Sequence, residues 1–353
     1  MTALPSTALV MIVRNEAATI ARCLNSVRGL VDRMIVVDTG STDATVAIAA
    51  DCGAIVHHFA WVDDFSAARN AALAHSTAQW NLILDADDYV VGVPPDFWAG
   101  FHGQAPFIGR IPIANTFDLQ GGVETAVSWV SRILPQGVRY AGRIHEQPDS
   151  DLPRRRCNLR VVHTGYRQQH LDAKRGRNQA LLALALQETP GDPYLSYQAG
   201  KDDEIRGDYQ GAVAHYQAAL PLTPATAGYR HDIVVRTIYT MKKAQLHEAA
   251  IQFAESEYAS WQHSPDFFFA LGDLFLDWAT LNPDQAESAL LPIVESSWLR
   301  CLALGDGSDL EGAVQGRGGH LAAHNLGVLY EGTGKMELAA TYRALQQSLQ
   351  ASS

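Results

Sequence analysis

The sequence predicts an α/β domain followed by an all-α array of helical pairs, and three observations carry that prediction. Over about the first 90 residues, short continuous apolar runs alternate with segments of helical periodicity. Between Phe107 and Val162 the pattern becomes strand-like and irregular, interrupted by Pro112, Pro135, Pro148 and Pro153. From about Leu171 onward the chain is rich in Ala, Leu and Gln at helical spacing. The 353 residues suffice for about two domains, each with its own core. The expected division is 1–170 and 171–353.

In order along the chain, Leu9 to Val13 reads as a buried strand. Ile20, Leu24 and Val27 follow at helical spacing and stop near Gly29. Met34 to Val37 is a second strand, and Thr39-Gly-Ser-Thr-Asp43 turns the chain and offers capping side chains to a helix through Val46 and Ala50. Ile55 to Phe59 is a third strand, Asp64 caps a helix through Arg69 to Ala74, and Asn81 to Leu84 is a fourth strand. Continuous apolar strands alternating with helices mean a parallel sheet covered on both faces. Residues 107–162 extend the same sheet in mixed or antiparallel fashion. In the helical half, Gly200, Gly207, Ala212, Tyr216, Ala219 and Pro224 fall at the spacing of a tetratricopeptide unit. Leu326, Gly327, Tyr330, Gly334 and Ala339 repeat those offsets, except that Arg343 stands where an aromatic is expected and Tyr342 comes one place early. Ile233 to Tyr258 and Phe267 to Leu304 read as degenerate pairs between them. Such units bury their faces only against neighbours and so stack.

Composition excludes several classes. Hydrophobic residues make up 47% and charged residues 18%, which is too apolar for disorder. The net charge of −11 argues against a nucleic-acid footprint. No apolar run reaches the ~20 residues of a membrane span. Met1 to Ser6 carries no basic residue ahead of an apolar core, so no signal peptide is expected. Cys23, Cys52, Cys157 and Cys301 are far apart, which fits a reducing cytoplasm better than a disulfide framework or a zinc site. From Arg139 to Arg177 ten basic residues outnumber four acidic ones. A local basic segment in an acidic chain suits a small polyanion such as a diphosphate, with a solvated face as the plainer reading.

Ligands on parallel sheets bind at the carboxyl ends of the strands, which makes Arg14–Glu16, Asp38–Asp43 and Asp85–Asp88 candidates. Alternate carboxylates at a strand end, Asp85 and Asp87, point to one side and could share a hard divalent cation, although a lone D-x-D is more often a turn or a cap. Asp38 could accept hydrogen bonds from a base or ribose, and Arg69 could reach a base or phosphate. Glu146, within Arg143-Ile-His-Glu-Gln147, is the candidate general base. His163 could ligate the same metal, since neutral imidazole suits Mn²⁺. Lys174, Arg177 and Asn178 could neutralise a departing diphosphate. No P-loop, dinucleotide fingerprint or nucleophile elbow is present.

Taken in order, Val13-Arg-Asn-Glu16, Val37 to Asp43, Trp61 to Asn70 and Leu84 to Asp88 resemble the family 2 glycosyltransferases. Ile144-His-Glu146, His163 to Tyr166 and Lys174 to Asn178 resemble the branch of that family with a tetratricopeptide tail. That branch includes bacterial peptide S-glycosyltransferases and transferases of surface saccharides. The resemblance implies a GT-A (Rossmann-like) fold and inverting transfer from a nucleoside-diphosphate sugar, a UDP-sugar being favoured, with Mn²⁺ or Mg²⁺. It implies that Asp38 and Arg69 contact the nucleobase with Glu16 nearby. Asp85 and Asp87 would serve ribose and metal, supported by Asp88, which stands where many members have Glu. It further implies Glu146 as base, His163 as third metal ligand, and Lys174 with Arg177 on the diphosphate.

The leading expectation is a metal-dependent transferase acting on a peptide or protein side chain, its helical tail forming a homodimer or holding the acceptor. A transferase of lipopolysaccharide or another surface glycan is the alternative within enzymes. A tetratricopeptide interaction protein with an inactive transferase domain is the alternative from another class, disfavoured by the presence of Asp38, Asp85, Asp87 and Glu146. A nucleotidyltransferase would use similar acids but release pyrophosphate.

Overall fold

A computed structural model describes the backbone of residues 4–119, 122–164, 171–307 and 310–351, with side chains at all of these except 115–119, 122–126 and 171–175. The chain divides into two compact units, Met1–Glu188 and Thr189–Ser353.

In the first unit β1 (Thr7–Val13), α1 (Ile20–Ser26), β2 (Arg33–Asp38), α2 (Thr45–Asp51), β3 (Ile55–His58), α3 (Phe65–Ala74) and β4 (Trp80–Ile83) follow in the expected order. The four strands are parallel in the spatial order β3-β2-β1-β4. Alternate residues of β1 enter different cores, which is why the strand reads as a continuous apolar run. Leu9, Met11 and Val13 pack with Ile20 and Leu24 of α1, whereas Ala8 and Val10 pack with Ala72 and Leu73 of α3. Asp64 caps α3 by accepting a hydrogen bond from the Ala67 amide at 2.9 Å.

The remaining strands are β5 (Asp88–Gly92), β6 (Ile108–Leu119), β7 (Gly122–Pro135), β8 (Arg139–Ala141), β9 (Gln147–Asp149), β10 (Arg154–Arg156) and β11 (Arg160–His163), followed by α4 (Leu171–Glu188). They make the expected mixed extension. β7 runs antiparallel to β4 and to β6, β11 lies parallel to β6, and β5 is antiparallel to β11 at the end of the path. β10 also pairs with β6, and β8 with β9 forms a separate hairpin.

This order forces curvature. β4 ends at Ile83 and β5 begins at Asp88, so five Cα steps, at most ~18 Å, connect strands that lie four ladder spacings, ~19 Å, apart along the path. The connection also turns, with the Asp88 amide donating to the Asp85 carbonyl at 3.0 Å. The sheet therefore curls and brings β11 and the Asp85–Asp88 turn together.

The second unit is helical: α5 (Pro193–Arg206), α6 (Tyr209–Ala219), α7 (Arg230–Lys243), α8 (His247–Glu257), α9 (Pro265–Leu281), α10 (Pro283–Gln285), α11 (Leu291–Leu304), α12 (His320–Gly332) and α13 (Met336–Ala351). One core runs through the array, from Tyr197 and Tyr216 to Leu326 and Ala339. The repeat spacing has a steric basis. Gly200 faces the ring of Tyr216, and sixteen residues apart in the same way Gly327 faces Arg343, whose stem fills the place of the expected aromatic. Tyr342 instead packs its ring 5.3 Å from that of Tyr330. The segment ahead of α12 is held by α7 and α9 through two backbone groups and one side chain. His231 Nδ1 meets the Glu311 carbonyl at 2.9 Å, and Asp266 Oδ1 accepts from the Val314 amide at 2.9 Å and from Arg317 Nη1 at 3.0 Å.

Candidate active site

The carboxyl ends of β1, β2 and β4 carry the polar residues. After β1, Asn15 adopts φ 55, and its Oδ1 accepts from the Thr42 amide at 2.7 Å while its own amide donates to Ser41 Oγ. The Glu16 amide donates to Thr45 Oγ1 at 2.8 Å, and the Glu16 carboxylate accepts from Thr19 Oγ1 at 3.0 Å. The loops after β1 and β2 are thus laced together. Asp38, buried at the end of β2, accepts from the amides of Gly40 and Ser41 at 3.1 Å each. Those bonds turn the chain into α2 and orient the carboxylate at the sheet edge.

Asp85 sits between two guanidinium groups. Arg69 Nη2, from the buried face of α3, donates to Oδ1 at 2.8 Å, and Arg132 Nη2, from β7, donates to Oδ2 at 2.5 Å. The Arg69 and Arg132 side chains are 8% and 13% exposed, whereas that of Asp85 is 31% exposed and so still open to a ligand. Burial alone would raise the Asp85 carboxyl, but the charges of Arg132 and Arg69 outweigh it and hold the group far below the usual carboxylate range. Arg69 Nε also bonds Glu146 Oε1. A tight turn makes that reach possible, with Gly142 at φ 100 and His145 at φ 53. Tyr140 lies beside them, 5.6 Å from Arg69 to the ring centre, and burial pushes its hydroxyl up to about 12.

The second cluster is formed by Asp87, Asp88 and His163, each offering one ligand atom within 4.8 Å of the others. His163 Nδ1 lies 2.8 Å from Asp88 Oδ1 and 3.6 Å from Asp87 Oδ1. Burial works against the charged imidazole, yet the hydrogen bond to Asp88 and the charge of Asp87 raise its pKa. The other Asp88 oxygen accepts from the Asp85 amide at 2.9 Å. Two carboxylates and an imidazole form a donor set suited to Mn²⁺, or to Mg²⁺ with water completing the shell.

The structure therefore groups the expected residues differently from the expected ligand set of Asp85, Asp87 and His163. The chain turns at Ala86-Asp87, just past the end of β4. Asp88 takes the place beside His163, and Asp85 is drawn to the arginines. Arg177 of α4 lies 5.2 Å over the Phe65 ring, where burial and the charge of Arg14 lower its pKa. Lys174 also falls in α4, but its side chain lies outside the described residues. Arg154, Arg155 and Arg156 are exposed on β10, on the solvated face that the basic segment also allowed. Arg132 went unrecognised from sequence, since one arginine in Ser131-Arg-Ile-Leu134 carries no motif signal; only its strand partner reveals where it points.

Residues 8–92 match the family described as Glycosyl transferase family 2. A TPR repeat-containing protein of Synechococcus elongatus is 32% identical over 66% of this chain and 60% of its own length. The SPbeta prophage-derived glycosyltransferase SunS of Bacillus subtilis is 28% identical over 60% of this chain and 52% of its own length. An uncharacterized glycosyltransferase of Rickettsia felis is 45% identical over 22% of this chain and 27% of its own length. The chain thus spans only 60% and 52% of the first two of these curated relatives. Among the described residues no helix is long and apolar enough to cross a membrane. The match to glycosyl transferase family 2 thus falls within the N-terminal unit, on the four parallel strands and the acids at their carboxyl edge.

Proposed function

We propose that the chain is an inverting, metal-dependent glycosyltransferase that moves a sugar from a nucleoside-diphosphate sugar to a peptide or protein side chain. The observation that carries this reading is the Asp87, Asp88 and His163 cluster beside the Asp85 turn, at the sheet edge where Asp38 also ends its strand. These three residues would hold Mn²⁺ or Mg²⁺, which when bound supplies charge neutralisation for a departing diphosphate. Arg177 would add a fixed cation on the same leaving group, with Lys174 one turn earlier on α4. Asp38 and Arg69 would orient the nucleoside, and Glu16 would brace the loop that meets it.

Glu146 would take the proton of the acceptor nucleophile on the oxygen not bonded to Arg69. Direct attack by that nucleophile, with no enzyme-bound intermediate, inverts the anomeric carbon. Support for a peptide acceptor comes from the second unit, whose α7 and α9 already hold the backbone of a turn-rich segment through His231 and Asp266. Such contacts read main chain rather than sugar hydroxyls.

The test is calorimetric binding of UDP, GDP and TDP with Mn²⁺ and again with EDTA, followed by trials of peptide and saccharide acceptors. Metal-dependent binding of one nucleotide, lost in Asp87→Ala, is the expected result. Absence of binding to all three overturns the reading. Transfer to saccharides alone would keep the donor site and overturn the acceptor.

A further inference from the structure

Four charged side chains of the first unit form one series of alternating sign: Arg132, Asp85, Arg69 and Glu146. Both Asp85 oxygens are occupied by guanidinium, one from β7 and one from α3. A carboxylate so held keeps free lone pairs but is fixed in orientation, and rotating it toward the cation cluster would weaken two charge-assisted hydrogen bonds in a mostly buried site. Its backbone amide meanwhile fixes Asp88, which faces His163. Arg132 thus stands between the two groups: it bonds Asp85 directly and interacts with Asp88 of the cation cluster through charge alone. Two further donors beside Asp85, Arg132 Nε and Arg69 Nη1, are buried with no hydrogen-bond partner among the described residues. Leaving such donors unmet is costly, which marks this arginine pair as polar surroundings not fully satisfied by the protein alone.

We propose that Arg132 is a positioning residue for the nucleotide. It shares Asp85 with Arg69, keeps that carboxylate off the metal and presented to the nucleotide, and so leaves Arg69 able to hold Glu146 as well. The inference rests on the reading of this site as one for a nucleoside-diphosphate sugar. It separates two functions within a run of four residues: Asp87 and Asp88 serve the cation, and Asp85 with its arginines serves the nucleotide.

The experiment uses the full chain and two probes, Mn²⁺ alone followed by its electron paramagnetic resonance, and UDP, GDP or TDP with Mn²⁺ followed by calorimetry. Arg132→Gln should weaken nucleotide binding by about ten- to a hundred-fold, the scale of one lost charge-assisted hydrogen bond, while Mn²⁺ binding stays within about two-fold. Arg132→Lys should recover part of the loss. Asp85→Asn should behave as Arg132→Gln, and Asp87→Asn should lose Mn²⁺. Should Arg132→Gln fail to fold by circular dichroism, Arg132→Lys and Asp85→Asn decide the matter. Wild-type nucleotide affinity in Arg132→Gln, or Mn²⁺ loss in Asp85→Asn as complete as in Asp87→Asn, overturns the inference alone. Failure of the unmodified chain to bind any of the three nucleotides overturns the glycosyltransferase reading and the inference with it.

Discussion

Gly200 of α5 lies so close to Tyr216 of α6 that a methyl group has no room. A Cβ there would stand 2.3, 2.7 and 2.8 Å from three ring carbons, against a comfortable separation of about 3.5–4.0 Å. The ring cannot retreat easily, because Tyr216 is 0% exposed and its hydroxyl is bonded to Glu204. Overpacking a filled core costs about 1–3 kcal/mol, and an overlap of this size belongs at the upper end. Alanine returns about 1 kcal/mol of helix propensity relative to glycine. Gly200→Ala should therefore lose about 2 kcal/mol. At roughly 2–4 °C per kcal/mol for a unit of this size, its unfolding midpoint by far-UV circular dichroism should fall by about 4–8 °C. Gly332→Ala in the same unit is the control, because open space surrounds it; the same chemical change should there add up to about 1 kcal/mol and raise the midpoint by up to about 4 °C. A Gly200→Ala chain that melts at or above the wild-type temperature would refute the steric argument.

Three further outcomes follow from the packing. Asp64→Ala removes the cap of α3 and should cost the first unit about 1 kcal/mol in a urea titration, with Asp64→Ser largely restoring it. In the second unit burial opposes ionisation of Asp232, but Arg236 and Lys201 outweigh it and hold the carboxyl at about 2. A depressed pKa contributes stability in full above the unfolded value of about 3.9 and loses it as pH falls through the folded one. The group should thus supply about 2 kcal/mol that fades between roughly pH 4 and pH 2, and Asp232→Asn should flatten that part of the acid unfolding curve. Burial pushes the Cys157 thiol up to about 11 and that of Cys301 up to about 12, and it raises Cys23 strongly as well. Iodoacetamide near neutral pH should therefore leave one adduct in the native chain, on half-buried Cys52; a second adduct by intact mass would contradict the burial of the others.

What could be read from sequence depended on whether local pattern carried the information. The four parallel strands, the Asp64 cap and the glycine-to-aromatic offset of the helical pairs all lie within a few tens of residues, and each has a sequence period or capping side chain to mark it. The curl of the sheet has no such mark, because it arises from strands β6, β7 and β11 entering between β4 and β5. That long-range pairing brings His163 opposite Asp88 and Arg132 beside Asp85. Alternation along an extended strand predicts a common side for Asp85 and Asp87, whereas both lie beyond the end of β4, where the chain turns. Arg343 shows the converse case: a departure from the repeat pattern that the fold absorbs, since an arginine stem covers the glycine that a ring would otherwise cover.

On the proposed peptide-acceptor reading, the segment held against α7 and α9 has a consequence for any peptide offered to that face. Being part of the same chain, it competes as a tethered occupant, at an effective concentration on the order of millimolar. A free peptide must exceed that local supply before half of the sites exchange, so its measured affinity reports the difference between two contacts rather than the strength of one. Weakening the tethered contact at its side-chain point, Arg317, would then tighten peptide binding without altering a single atom of the face itself.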